Sequence, residues 1–275
     1  MPAIEAVNAH YAVTNVERAI VAGLTMAGVS LESLAPEDLA PVDQFHMGGR
    51  EATCELLGVA GLGDGLEIVD VGGGVGGAAR TLAVETSAAV TVLDATEEFC
   101  RAGTTLTTLV GLEDAVRFVH GDATAMPFPD ASFDAAWLQH VSMNVAAKDE
   151  LFREIHRVLR PGGRLLVHEV LAGPAQPIHY PVPWAQDPSL SFLQDERTMR
   201  ELLRAAGYVE IAWRDATAAA HEWWRERLRL VVDHRPPPLG IQVLLGPDAA
   251  RIRAAMLLNL EERRIGVAYG VLERD

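Results

Sequence analysis

Side chains able to move a proton gather near the ends of apolar runs. His140 follows Phe133–Leu138, Glu169 closes Arg164–Val170, His46 lies in DQFHMGG, and His179 lies in AGPAQPIHYPVPWAQDPSLSF. Imidazole titrates close to neutral pH and is the usual general base, so His140, Glu169 and His179 are the candidate catalytic groups. Each histidine also reads as a hydrogen-bonded wall residue. Converging histidines and a carboxylate can hold a metal. No compact ligand motif is present, so no metal is assigned.

A second group of residues binds rather than reacts. LEIVDVGGGVGGAARTLA reads as a buried strand, a turn of five glycines (Gly72, Gly73, Gly74, Gly76, Gly77) and the start of a helix. Glycine lets the backbone turn sharply and approach a ligand, and the helix turns its free N–H groups toward it. Gly72, Gly74 and Gly77 fit G-x-G-x-x-G, with Asp94 about 20 residues on as a dinucleotide ribose ligand. Asp70 through Gly76 equally fit D-x-G-x-G-x-G. The loop alone leaves both readings open.

The surrounding elements must position these groups. Ala89–Leu93 reads as a second strand ending at Asp94, and Thr96 as the N-cap of a helix Glu97–Val110. Val116–Val119 and Phe133–Leu138 follow as strands, then an amphipathic helix Lys148–Leu159 stopped by RPGG, and a fifth strand Arg164–Val170. A helix Asp195–Ala206 and a strand Tyr208–Trp213 come next. Thr217–Val232 and Pro247–Arg263 read as helices, and Ile265–Leu272 as the last strand. Before the glycine loop, Val13–Met26 and Gly48–Leu57 read as helices, joined by a proline-rich loop. Pro236–Pro238 reads as a rigid connection.

Composition narrows the partners. The chain has 275 residues, 49% hydrophobic, with a net charge of −15. A binder of phosphate backbones shows a basic face, and no basic run exists here, so nucleic acid is not expected. No stretch reaches the length of a membrane span, and no secretory signal is visible. Cys54 and Cys100 form no disulfide framework, which suits reduced thiols and a cytoplasmic location.

GDATAMPFPDASFDAAW, followed by a helix and LRPGGRLLVHE, resolves the glycine loop. With D-x-G-x-G-x-G, this order closely resembles the class I S-adenosylmethionine (SAM) methyltransferases of small molecules, nearest the ubiquinone/menaquinone-biosynthesis-like and glycine/sarcosine-type branches. The resemblance covers about residues 43–214. It implies an α/β fold, a Rossmann-like seven-stranded mostly parallel sheet with helices on both faces and the last strand antiparallel. Residues 1–62 would form an N-terminal helical cap and 63–275 the methyltransferase domain, with substrate and lid segments at about 171–194 and 215–264.

The resemblance also assigns the cofactor, S-adenosyl-L-methionine, leaving as S-adenosyl-L-homocysteine (SAH). Gly72 and Gly74 would lie under its methionine part. Asp94, with Ala95, would hold the ribose, and Asp122 with Ala123 would edge the adenine. Gln139 and His140 would lie near the sulfonium, and Gln44 would reach the carboxylate. Gly73, where many relatives carry cysteine, reads as a small departure of little effect. His179, Tyr180 and Trp184 would wall the acceptor site, and Trp184, Trp223 and Trp224 read as lid packing or as a cage for a cationic amine. The expected activity is methyl transfer to N, O or C of a small molecule, with no nucleic-acid or membrane partner and self-association left open. Isomerisation or cyclisation on the same fold, or a non-catalytic partner subunit, are the alternatives.

Overall fold

Alternating β-branched runs and amphipathic helices give a sheet covered on both faces. The computed structural model describes residues 3–11, 15–233 and 239–275. Its strands are β1 (Glu67–Val71), β2 (Ala89–Asp94), β3 (Val116–His120), β4 (Phe133–Gln139), β5 (Leu159–Ala172), β6 (Tyr208–Asp215) and β7 (Ile265–Arg274). They form one sheet in the order β3-β2-β1-β4-β5-β7-β6. Pairings from β3 through β5 are parallel, and β7 runs antiparallel to both β5 and β6. This is the seven-stranded sheet expected, with its last strand reversed.

Successive strand residues face opposite sides, which divides the core. Ile68, Val90, Trp137 and Leu166 pack on one face with Leu56 of α4 (Gly49–Ala60), Leu82 of α5 (Gly77–Thr86) and Met256 of α11 (Ala249–Glu261). Val69, Leu93, Leu138 and Leu165 pack on the other with Phe152 and Ile155 of α7 (Lys148–Val158) and Leu203 of α8 (Glu196–Ala205). A third cluster joins α2 (Val16–Met26) to α6 (Glu97–Leu109) through Ile20, Leu24, Phe99 and Leu106. β1 lies between β2 and β4, so the chain order reverses there and a crevice opens beyond the strands' carboxyl ends.

Several local expectations shift. The stretch before α4 is not all loop, because α3 spans Pro36–Asp43 within it. Pro36 occupies a first-turn position that needs no N–H, the Asp38 carboxylate accepts from Ala35 N at 2.9 Å, and Leu39 and Val42 are buried. Pro41 reads as a breaker in sequence yet costs this short helix only one bond. A further helix, α1 (Ala3–Tyr11), has no counterpart in the sequence reading. Thr96 takes the N-cap position of α6 without a side-chain cap bond; Asp94 Oδ1 instead accepts from Thr96 N at 2.8 Å. Between β6 and β7 lie α9 (Thr217–Asp233), α10 (Gln242–Leu245) and α11. Val13 and Pro236–Pro238 lie outside the described residues. Among the described residues, no helix is long and apolar enough to cross a membrane.

Candidate active site

The crevice beyond β1 and β2 encloses a cavity of about 370 Å³. Its floor is the glycine loop. Gly72 has a φ of 68°, and a Cβ there would meet the Val141 methyls at 2.7 Å, so only glycine permits both the turn and the approach of the β4 loop. Gly74 N donates to Asp94 Oδ2 at 2.8 Å, while Thr96 N takes Oδ1. Each carboxylate oxygen thus has one backbone donor and room to accept another. Burial raises the Asp94 carboxyl above the ordinary carboxylate range. Asp122 Oδ1 accepts from the N–H and O–H of Thr124, both at 2.8 Å, which fixes its orientation at the cavity edge. Ala95, Ala123, Gln139 and His140 also line this space.

Gly73 matters more than its sequence suggests. A Cβ there would stand 2.4 Å from Asp70 Oδ2, so the missing side chain is what lets the Asp70 carboxyl occupy its place beside the cavity. Burial, then the neighbouring Asp94 charge, raise Asp70 to about 7. Its Oδ2 is buried without a partner.

His140 stands at the far end. Its φ of 55° is left-handed, uncommon for a side-chain-bearing residue. The turn is held from outside the cavity. His140 N donates to His168 O at 2.8 Å, and Glu169 accepts from Val141 N at 3.0 Å and from Ser142 Oγ at 2.7 Å. Glu169 does not line the cavity. Burial raises its carboxyl to about 7. Its carboxylate is thus bonded to the backbone and hydroxyl of the turn that follows His140. His140 Nε2 is buried with no partner, and burial followed by the nearby His46 hold the ring well below the ordinary histidine range.

Behind His140 lies a directional hydrogen-bond relay. Trp137 Nε1 can only donate, and it donates to Gln139 Oε1 at 2.9 Å. That turns the Gln139 amide N–H groups toward His168 Nδ1 at 2.9 Å and His46 Nδ1 at 3.1 Å. Both rings must then carry hydrogen on Nε2. His46 Nε2 accordingly donates to Gln44 Oε1 at 3.1 Å, Gln44 Nε2 to Thr81 Oγ1 at 3.2 Å, and Thr81 Oγ1 to Gly77 O at 3.1 Å. Burial lowers His46 to about 4. The relay adds a reason, since a proton on Nδ1 would face the Gln139 amide hydrogens.

Other expected site residues fall elsewhere. Gln44 belongs to the relay and does not line the cavity; its neighbour Asp43 does. His179 Nε2 contacts Glu262 at 2.9 Å, with both side chains about two-fifths exposed, and lines neither cavity. Trp184, Trp223 and Trp224 line a second, smaller chamber of about 40 Å³ that shares Tyr11, Phe45, His46 and His140 with the first. Tyr11, with its hydroxyl donating to Asn144 Oδ1 at 2.8 Å, is a wall residue the sequence did not point to. Asp43, in the DQFHMGG stretch, and Asp70, which opens the D-x-G-x-G-x-G motif, line the first cavity as well. Among the described residues, no group of three His, Cys, Asp or Glu side chains is placed to hold a metal.

A glycine loop, a carboxylate at the end of β2 and this strand order define an α/β protein that holds a nucleoside-bearing cofactor at its switch point. A family model described as "Methyltransferase domain" matches residues 69–167. A ubiquinone/menaquinone biosynthesis C-methyltransferase of Paracoccus denitrificans is 33% identical over 191 residues, covering 59% of this chain and 75% of that protein. The chain belongs to the class I SAM-dependent methyltransferases, whose cofactor is S-adenosylmethionine. A sterol 24-C-methyltransferase of Gibberella zeae is 42% identical over 112 residues, 40% of this chain; the match spans only 29% of that relative. The fold is shared with geranyl diphosphate C-methyltransferase from Streptomyces coelicolor, at 16% identity and a TM-score of 0.74 over 100% of this chain and 99% of the other. It is also shared with the [4+2]-cyclase SpnF, at 23% identity and a TM-score of 0.68 over 88% and 97%.

Proposed function

We propose that this chain transfers the methyl group of S-adenosylmethionine to a small-molecule acceptor held beyond His140. One observation carries the reading: His140, with an unpartnered buried Nε2, stands between a cavity fitted for the cofactor and a second chamber. The residues present fit the cofactor. Asp94 offers two oxygens to the ribose hydroxyls. Asp70 Oδ2 and Asp43 Oδ1 are buried and unpartnered beside the cavity, which suits a cationic ligand. S-adenosylmethionine supplies a methyl on a sulfonium sulfur, which leaves as a neutral thioether.

The protein's share is alignment and one proton. Positioning two reactants contributes up to roughly 7–11 kcal/mol in favourable cases. His140 stays neutral at neutral pH, and in the tautomer with hydrogen on Nδ1 the unpartnered Nε2 carries the lone pair. It takes the proton the acceptor gives up as the acceptor's electron pair bonds to the methyl. Residues 1–62 act as a cap, since Ile4, Val7 and Tyr11 of α1 line the cofactor cavity.

The fold alone does not select the chemistry, because a named cyclase shares it. Incubation with methyl-labelled S-adenosylmethionine and a panel of small acceptors decides. Label appearing in product supports methyl transfer. Turnover of an acceptor without label transfer replaces it with the isomerisation or cyclisation reading.

A further inference from the structure

The second chamber has a chemistry of its own. Among the described residues, its lining contains no Asp, Glu, Lys or Arg. Met47, Met143, Met256, Trp184, Trp223 and Trp224 are among its lining residues. Burying an ionised group against such a wall with no countercharge is strongly unfavourable. Arg227 stacks on the Trp223 ring, 3.6 Å from its centroid, but does not line the space.

Three polar atoms of the residues lining this chamber are buried without partners: His140 Nε2, Trp223 Nε1 and Trp224 Nε1. Trp223 Nε1 lies beside Gly49 of α4, whereas Trp224 is the fully buried donor, its side chain 2% exposed. An indole N–H can only donate, and leaving a buried donor unpaired is costly. Trp184, by contrast, donates its N–H to Ser191 Oγ at 3.0 Å. A ligand oxygen is the simplest partner for Trp224. The chamber, at about 40 Å³, has room for roughly three waters. A ring enters only if side chains give way. The three methionines, each with three rotatable bonds, are suited to that, and the tryptophans offer faces and edges for aromatic contact.

We propose, building on the methyl-transfer reading, that the acceptor is an uncharged, largely apolar molecule whose oxygen takes the hydrogen bond of Trp224 Nε1. Small amino acids, cationic amines and phosphorylated acceptors do not match this chamber.

The test uses the full chain saturated with S-adenosylhomocysteine and four probes of one size: 4-methylphenol, toluene, benzoate and benzylammonium. Dissociation constants come from ligand-observed NMR. The expected result is 4-methylphenol binding about tenfold or more tightly than either ion. Trp224→Phe should weaken 4-methylphenol roughly two- to tenfold and leave toluene nearly unchanged. No binding of 4-methylphenol, or either ion binding as tightly, overturns the proposal. So does a Trp224→Phe chain that holds 4-methylphenol as well as wild type. Should that variant not fold, the wild-type probe series still decides. Failure to bind S-adenosylhomocysteine in calorimetry, measured first on the same sample, counts against the methyltransferase reading instead.

Discussion

Arg80 Nη2 sits 2.9 Å from Asp43 Oδ2, with both side chains 2% exposed or less. This buried pair joins α5, the helix after the glycine loop, to the end of α3. Arg80 also donates to Val75 O at 2.8 Å and Thr107 Oγ1 at 2.8 Å. α3 and the helix after the glycine loop are thus pinned at one point. Arg80→Met should destabilise the fold by about 3–5 kcal/mol, because it strands a buried carboxylate. The double variant Arg80→Met/Asp43→Leu should recover part of that loss. Urea unfolding of wild type, single and double variants checks it; a double variant less stable than the single would show that the pair's partners, not its charge, matter.

Asp94→Ala removes a carboxylate that accepts from the loop and that we propose holds the ribose. A charged acceptor of this kind is worth about 1.5–3 kcal/mol, so SAM affinity should fall roughly tenfold to a hundredfold. Calorimetry giving an unchanged affinity would remove the ribose assignment.

His140→Ala should separate binding from chemistry. In the proposed role the group acts on the proton lost in the transition state, so SAM affinity should stay within a few-fold. Turnover should fall by roughly 10²–10⁴. Single-turnover rates with a working acceptor test this, and a wild-type rate at saturation eliminates His140 as the base.

Acid should weaken the fold through its buried histidines. Burial lowers His46 to about 4 and holds His140 and His168 well below the usual histidine range. As pH falls from about 6.5, the unfolded chain takes up protons that the folded chain refuses, so stability drops through that window. Asp70 and Glu169, raised to about 7, act oppositely: their contribution falls as pH rises toward 7. Removing one histidine isolates its share. His168→Gln keeps an acceptor for Gln139 and should flatten the decline between pH 6.5 and 4.5 by up to about 1.4 kcal/mol per pH unit. Unfolding free energies at three pH values on both chains check it, and parallel curves would contradict it.

The sheet was legible because strand and helix periods differ along the chain. Ile68–Val71 and Phe133–Leu138 are apolar runs each interrupted by one aspartate, Asp70 and Asp134, close to what strands buried on both faces require. Asp94 and His140 were legible because strand ends mark the crevice. The N-terminal region was less so. α3 is hidden by two prolines, and its helical state depends on burying Leu39 and Val42 against the rest of the fold. At the end of the same helix Asp43 lines the cavity, while Gln44, one residue on, bonds into the relay. Glu169 and His179 were chosen by residue type. Nothing in their local sequence distinguishes a carboxylate bonded to backbone N–H groups, or an imidazole paired on the surface, from one aimed at substrate. Gly73 became informative only when its missing side chain was measured against Asp70.

The relay behind His140 has a polarity, and one tryptophan sets it. Because Trp137 Nε1 gives and cannot receive, every bond onward to the carbonyl of Gly77 points the same way. Gln139→Glu would replace two donors with an acceptor, and both imidazoles would have to exchange the nitrogen that bears hydrogen. The arrow therefore originates in the sheet's core and terminates in the helix under the cofactor, so a single change of atom at its source would reverse orientation at residues more than fifty positions away in sequence.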